Sequence, residues 1–510
     1  MLRNPNDHVA LCQRLQACLA YPRRSPEWAE RGRASQRAGG MTSTSDTRVV
    51  SIDFGTAFSK AASAVRSANS FRPRHPEALA VGRGAGWSSD YFLPSAILLN
   101  AKQIHFGAEA LATPLPPGRE VLQSFKLLLG ARELGGLLDS RPAKKIDPDS
   151  AFSHRDLITL YLAYFIDLIE LSLGGVDLAH ADGESVIRYT RPGWFSSQTD
   201  RDHEEIVRLL QMGKGVLRSL GSGFWRLPLP YERARYALDA AQPDRSLFIE
   251  AGVFEATAAA SCYLTEDGPS RCFVILDMGA GTTDLGAYIF SSTGSGQGKI
   301  IASRSTLSVA GDDIDRALMN LLVDAAVETR TVLARSLLWR SLIPDVRSHK
   351  KRLFETGELH LKQRDGSTLS CSLKQLGQSA EYRSVVKSIS TAFRDLVNAT
   401  ALEAVNHGQK EIIAVAAGGG AALPFVRELV RSSRPKKRIG YRQTQEPPAW
   451  MAAMPDSENV AKNFNQLAVV IGAVVAPSSL LIHLTERFRD AAPADRADAK
   501  IAFGDVESAQ

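Results

Sequence analysis

The feature that most constrains this chain is a repeated one. An apolar run ends in aspartate, passes through a glycine turn and resumes as a second strand-like run, twice, 224 residues apart. The first copy is Val49-Val50-Ser51-Ile52, then Asp53-Phe54-Gly55-Thr56, then a run reaching Val65. The second is Phe273-Val274-Ile275-Leu276, then Asp277-Met278-Gly279-Ala280-Gly281-Thr282-Thr283-Asp284, then Leu285 to Phe290. Each predicts a β-hairpin whose turn needs glycine. An echo of such long period predicts two similar lobes, each opening with its own hairpin. The second turn fails as a dinucleotide loop, because Asp284 occupies the place of the third glycine and a strand follows instead of a helix.

The remaining pattern alternates helix and strand, which predicts an α/β protein. Ser153-x-x-Asp156 opens a helix with a capping-box pair, and Leu157 to Leu173 reads as amphipathic, with Asp167 and Glu170 in helical phase. That phase argues against a membrane span. Val186 to Thr190 predicts a strand and Asp200 to Gly213 a helix. Ile412 to Ala416 predicts a buried strand ending in Gly418-Gly419-Gly420, after which Leu423-Pro424-Phe425 opens a helix. Leu467 to Ala476 is the last core element, and an Ala/Asp/Arg-rich tail follows.

Composition sets few further limits. The chain has 510 residues and a net charge of +6, but its arginines are spread along it, so neither a nucleic acid nor a membrane is the expected partner. The basic run from Arg431 to Arg442 contains only Tyr441 as an aromatic and reads as a solvated loop. Five cysteines without C-x-x-C pairs or zinc-ligand spacing fit a reducing compartment, the cytoplasm. The first 40 residues carry seven arginines and three acidic residues without a secretory apolar run. They are expected to be a disordered extension, or to precede a true start at Met41.

Two Asp-x-Gly hairpins facing each other suit one chemistry in particular. Backbone N–H groups in Gly/Thr turns cradle phosphate oxygens, carboxylates hold a hydrated Mg²⁺, and a polar group positions water against a γ-phosphate. Gly55, Thr56, Gly279, Gly281 and Thr282 supply the turns. Asp53 and Asp277 end their strands, where they would point at the metal.

These residues resemble the two phosphate motifs of the actin, sugar-kinase and heat-shock-chaperone superfamily. Ala417-Gly418-Gly419-Gly420-Ala421-Ala422-Leu423-Pro424 is similar to its adenosine motif. Four more segments resemble the DnaK-type 70-kDa heat-shock branch: Phe125-Lys126-Leu127-Leu128-Leu129-Gly130, Thr190-Arg191-Pro192-Gly193-Trp194-Phe195, Glu255-Ala256-Thr257-Ala258-Ala259-Ala260 and Gly311-Asp312-Asp313-Ile314-Asp315. The likeness runs in the family's order from about residue 48 to 476.

The resemblance implies an actin-like ATPase fold, with two lobes around a central nucleotide cleft. Lobe I would span 48–267 and lobe II 268–476, after an extension over 1–47 and before a linker-like segment and tail over 477–510. It implies ATP and Mg²⁺ as ligands and slow ATP hydrolysis. By the same resemblance Lys126 would position the attacking water, Asp53 and Asp277 would hold the Mg²⁺ shell, and Thr282 would meet the γ-phosphate. Glu255 would sit near the metal and relay nucleotide state. Gly55, Thr56 and Ala57 would line one phosphate turn, with Gly279, Ala280, Gly281 and Gly311 on the other side. Gly418, Gly419 and Gly420 would face the adenosine. Arg352-Leu353 with Glu358 and Lys362 resembles a helix reaching the adenosine, the alternative being a solvated i,i+4 pair.

Three departures stand out. Ala256 replaces the connector proline, and Gly420 and Ala422 replace a serine and an adenine-stacking arginine. Leu480-Leu481-Ile482-His483-Leu484 resembles the family's interdomain linker, or else is a short strand tucked on the core. The expectation is a nucleotide-binding domain without the family's peptide-binding domain, signalling its ATP or ADP state to a protein partner. A filament or scaffold ATPase and a non-hydrolysing nucleotide sensor are the alternatives.

Overall fold

In the computed structural model, residues 46–477 are described, apart from 68–72, 83–89, 117, 131–133, 180–184, 192–198, 265–270, 291–302, 327–331, 364–365 and 445. The linker-like Leu480–Leu484, residues 1–45 of the extension and Pro192 to Phe195 lie outside the described residues, and Thr47, placed in the extension, begins the first strand.

The chain is mixed α/β. Its first sheet contains β1 (Thr47–Asp53), β2 (Phe58–Arg66), β3 (Arg74–Ala78), β4 (Ser185–Arg191) and β5 (Ile249–Phe254). Their order is β5-β4-β1-β2-β3, with a short strand at Leu93–Pro94 also paired to β2. β1 runs antiparallel to β2 and parallel to β4, and β4 is parallel to β5. The second sheet contains β6 (Arg271–Met278), β7 (Thr283–Phe290), β8 (Ser303–Leu307), β9 (Glu411–Ala417) and β10 (Gly440–Thr444), ordered β8-β7-β6-β9-β10. β6 is antiparallel to β7 and parallel to β9, and β9 is parallel to β10. The two sheets repeat one another strand for strand: an antiparallel pair beyond the central strand on one side, two parallel strands on the other. The internal echo in the sequence is the trace of this repeat.

Alternation along the central strands sorts the core into layers. In β1, Val50 and Ile52 join a cluster with α1 (His154–Ser172) and α2 (Thr199–Leu220), while Val49 faces a middle cluster. In β6, Phe273 and Ile275 also face that middle cluster, while Cys272, Val274 and Leu276 pack against α6 (Ala380–Asn406), in a cluster that also takes in α4 (Gly311–Ala325) and α5 (Val346–Thr356). The middle layer is thus bounded by both sheets. It is filled by α3 (Glu255–Ser261) and α7 (Phe464–Val475).

α3 reads Glu-Ala-Thr-Ala-Ala-Ala-Ser and is buried along its whole length, so its small side chains let α7 approach closely. The contact is tightest at Gly472, where an added Cβ would stand 1.7 Å from the Ala258 carbonyl oxygen. Gly→Ala inside a helix ordinarily stabilises by ~1 kcal/mol. Here the backbone of α3 cannot give way as a flexible side chain could. Gly472→Ala is expected to destabilise by about 3 kcal/mol, at the upper end of ordinary overpacking costs, measured by urea unfolding.

The capping box of α1 forms as expected from Ser153 and Asp156. The amphipathic reading of that helix needs correction. Residues Leu157 to Ile169 are all buried, Asp167 included. Asp167 accepts hydrogen bonds from the Gly223 N–H at 2.8 Å and the Trp225 indole N–H at 2.7 Å, and Glu170 pairs with Lys214 at 2.6 Å. Distant donors satisfy both carboxylates, which helical phase alone had assigned to solvent. Among the described residues no helix is long and apolar enough to cross a membrane.

Glu358 and Lys362 also depart from expectation. They lie on a strand, Glu358–Lys362, paired with Thr368–Ser372 in a separate two-stranded sheet. α5 stops at Thr356, capped by Gly357 at φ 81°, a conformation that favours glycine and ends a helix. α5 carries Arg352 and Leu353, but Glu358 and Lys362 are not on it, and they form no i,i+4 helical pair.

Candidate functional site

β1 delivers Asp53 at its end, and the turn to β2 is built around Gly55, where an added Cβ would meet the Phe58 carbonyl oxygen at 2.2 Å. Ser95 fastens this turn, its hydroxyl donating to the Gly55 carbonyl at 2.7 Å and its N–H to the Ala57 carbonyl at 3.0 Å. Phe54 packs on Phe125, ring centroids 4.9 Å apart, and on Tyr161 at 5.7 Å. That anchored ring fixes the 3₁₀ segment Phe125–Gly130 and with it the adjacent Lys126.

The Lys126 ammonium donates to Glu255 Oε1 and lies 3.3 Å from Asp53 Oδ1. Glu255 is the first residue of α3, so the helix of the middle layer brings its carboxylate to the cluster. Asp53 Oδ1 also accepts from the Thr190 hydroxyl at 2.8 Å, and Asp53 Oδ2 accepts from Lys60 at 2.5 Å.

The second hairpin repeats the first in register: Asp53 stands opposite Lys60, and Asp277 opposite Asp284. Asp284 accepts from the hydroxyls of Thr282 at 3.1 Å and Thr306 at 2.6 Å. The turn closes with the Gly279 N–H on the Thr282 carbonyl at 2.9 Å. The start of α4 docks on it, the Gly311 N–H donating to the Gly279 carbonyl at 3.2 Å and the Asp312 N–H to the Ala280 carbonyl at 2.8 Å. Gly311 therefore shapes the turn with its own N–H already engaged.

The third glycine element abuts Asp277 directly. Gly418 has φ 79°, and an added Cβ would lie 2.4 Å from Asp277 Oδ1. At Gly420 it would strike the Met278 side chain at 2.5 Å, whereas nothing lies within 4 Å at Gly419. Gly419 and Ala422 are exposed.

The structure brings together Asp53, Lys126, Glu255 and Asp277 by side chain, and sets the glycine turns around them. Glu358 and Lys362 lie on a separate two-stranded sheet, with no hydrogen bond to the cluster among the described residues. Lys60, Thr190 and Asp284 join the cluster without having been given a role from sequence. For Lys60 a signal was available, since counting outward from the Asp-Phe-Gly-Thr turn places it opposite Asp53.

Two features of this arrangement bear on ligands. The backbone N–H groups of Gly55, Thr56 and Ala57, and those of Ala280, Gly281 and Thr282, have no acceptor among the described residues. Both turns therefore offer donors to an anion. The second feature is charge. With all ionised, four buried carboxylates face two ammoniums, an excess of two negative charges.

Burial opposes ionisation of Asp53, but Lys60 and Lys126 outweigh it and hold its carboxyl well below the usual range. Burial also pulls on Lys126, yet Glu255 and Asp53 hold its ammonium above its ordinary value. Asp277 is pushed up to about 7 by burial and by Asp284 across the hairpin. Burial drives Glu255 up to about 8, the three aspartates adding to it against Lys126. The cluster retains protons near neutral pH because its carboxylates outnumber its ammoniums.

Among the described residues no three His, Cys, Asp or Glu side chains stand close enough to hold a metal ion directly. The donor set still fits a hydrated divalent cation held through its waters. Asp277 is 5% exposed and has no hydrogen-bond or ion-pair partner among the described residues.

A scan against known protein families finds no match for this chain, and neither does a search of curated proteins.

Proposed function

We propose that this chain binds Mg·ATP between its two Asp-Gly hairpins, hydrolyses it slowly and passes its nucleotide state to a protein partner. The fold we propose is the actin-like one, with lobes over 48–267 and 268–476 around the nucleotide, as in 70-kDa heat-shock proteins. One observation carries the reading. Two sheets of identical strand order end their central hairpins at a shared cluster of buried charge, with unengaged turn amides on both sides.

In this reading the six amides receive the phosphate oxygens, and Asp277 and Asp53 hold the metal's water shell. Bound there, Mg²⁺ would neutralise charge on the β- and γ-phosphates. Lys126 exchanges part of its pairing with Glu255 and Asp53 for the γ-phosphate and the attacking water. Thr282 turns its hydroxyl from Asp284 to the γ-phosphate. Glu255, at the first position of α3, feels these exchanges and transmits them into the middle layer that both sheets share.

Adenine contributes little in this arrangement. Ala422 has no cation to stack, and Glu358 and Lys362 lie on a separate hairpin. Isothermal calorimetry with Mg²⁺ should place ATP and GTP within about tenfold of each other, or ~1.4 kcal/mol. Mg²⁺-dependent nucleotide binding that vanishes on chelation is the expected result. Absence of binding, or a strong preference for adenine, overturns the reading.

A further inference from the structure

The two hairpins agree in register and differ in charge. Opposite Asp277 stands a carboxylate, Asp284; opposite Asp53 stands an ammonium, Lys60. Lys60 is held on two sides, 2.5 Å from Asp53 Oδ2 and donating at 3.1 Å to the Gln466 carbonyl in the first turn of α7. Its side chain is 14% exposed. The other oxygen of Asp53 already receives Thr190 and Lys126. Glu255 and Asp284 likewise have donors, in Lys126 and in the hydroxyls of Thr282 and Thr306. Of the four carboxylates, Asp277 alone has none among the described residues, and it is buried.

We infer that Lys60 is a positioning residue of this site: its ammonium saturates Asp53 and thereby assigns the divalent cation to Asp277. This rests on the nucleotide reading above and revises one part of it: the share of the metal's water shell given there to Asp53 passes to Asp277, so the two aspartates have unequal tasks. Asp53 becomes a fixed anion that orients Lys60, Lys126 and Thr190 along one wall. Asp277 is left to face the metal's waters. A divalent cation beside Asp53 would have to displace two ammoniums, and their repulsion at these distances disfavours it. At the opposite wall the Asp284 carboxylate adds attraction, held in place by the hydroxyls of Thr282 and Thr306. Glu255, neutralised by Lys126, adds little.

The test reads metal binding without nucleotide. In the full chain free of nucleotide, Mn²⁺ affinity is measured by electron paramagnetic resonance for the parent and for Lys60→Met. Removing the ammonium frees Asp53 Oδ2 and adds a negative charge to the cluster, so Mn²⁺ should bind on the order of tenfold more tightly. Affinity for Mg·ATP should fall, since the freed carboxylate faces the triphosphate. A role confined to packing would weaken both together. Lys60→Met combined with Asp53→Asn should return Mn²⁺ affinity to within about twofold of the parent, which assigns the gain to the freed carboxylate.

Circular dichroism confirms that each variant is folded, and Lys60→Gln replaces Lys60→Met if the latter does not fold, with the same expected gain. Unchanged or weakened Mn²⁺ binding in a folded variant overturns the proposal. Because that arm contains no nucleotide, a parent that fails to bind ATP speaks against the nucleotide reading, while Mn²⁺ binding alone still decides the role of Lys60.

Discussion

Lys126→Ala is expected to lower the single-turnover rate of ATP hydrolysis by ~10²–10³, or about 2.7–4 kcal/mol in the barrier, the usual worth of one positioned charge-stabilising group. Its affinity for Mg·ATP should stay within a few-fold of the parent. The asymmetry follows from what else remains. The turn amides of both hairpins and the free carboxylate of Asp277 do not depend on Lys126, so binding survives. The fold should survive too. Truncating one partner of a buried ion pair normally costs several kcal/mol because a charge is left unpaired. Glu255, however, is already pushed up to about 8 by its surroundings, and without Lys126 it keeps its proton at neutral pH and stays uncharged. Rapid-quench hydrolysis and calorimetry on the same preparation separate rate from binding. Hydrolysis at the parent rate would remove Lys126 from the mechanism. A parent that binds ATP and never turns it over would favour the nucleotide sensor.

Much of this site is legible in the amino-acid sequence, for local reasons. A run such as Phe273–Leu276 followed by Asp-Met-Gly can bury its apolar residues and turn in few ways, so both hairpins and the strand before Gly418 are expected with nearly their observed bounds. Lys126 and Glu255 stand out by resemblance to motifs, since nothing local marks a lysine as buried. What is lost depends on partners remote in sequence. Asp167 keeps helical phase with Glu170, yet it is buried because Gly223 and Trp225 bring donors to it. Glu358 and Lys362 have helical spacing, but the same spacing also fits one face of a strand, and Gly357 decides between them. The identical order of the two sheets lies beyond sequence reasoning, because pairing order is set by contacts between strands that the chain separates widely.

Arg188 shows how such remote contacts tie the site to the rest of the fold, and its loss should be among the costliest to stability. It lies within β4, in the run Val186-Ile187-Arg188-Tyr189-Thr190, and its side chain is fully buried. Its guanidinium pairs with Glu250 at 2.7 Å and donates to the carbonyls of Ala473 at 3.1 Å, Val474 at 3.3 Å and Ala476 at 2.6 Å. These are the carbonyls a helix leaves unsatisfied at its C-terminus, and a cation there also meets the negative end of the α7 dipole. Arg188→Ala is expected to destabilise the chain by about 3–5 kcal/mol, read from urea unfolding, because buried carbonyls lose a charged donor and a cavity opens. Arg188→Met should recover only the packing part, leaving the carbonyls unmet. Glu250 is spared isolation by Arg66, so the loss reports on α7 itself. The effect should reach the site as well. Thr190, two residues along the same face of β4, holds Asp53, and α7 is fastened to the first hairpin through Ser51 on Val470 at 2.6 Å and Lys60 on Gln466 at 3.1 Å. A helix loosened at one end shifts the anchors at the other, so Mg·ATP affinity should weaken in Arg188→Met even where the protein is fully folded. Stability within about 1 kcal/mol of the parent in Arg188→Ala would show that water reaches those carbonyls, and that α7 does not depend on this cation.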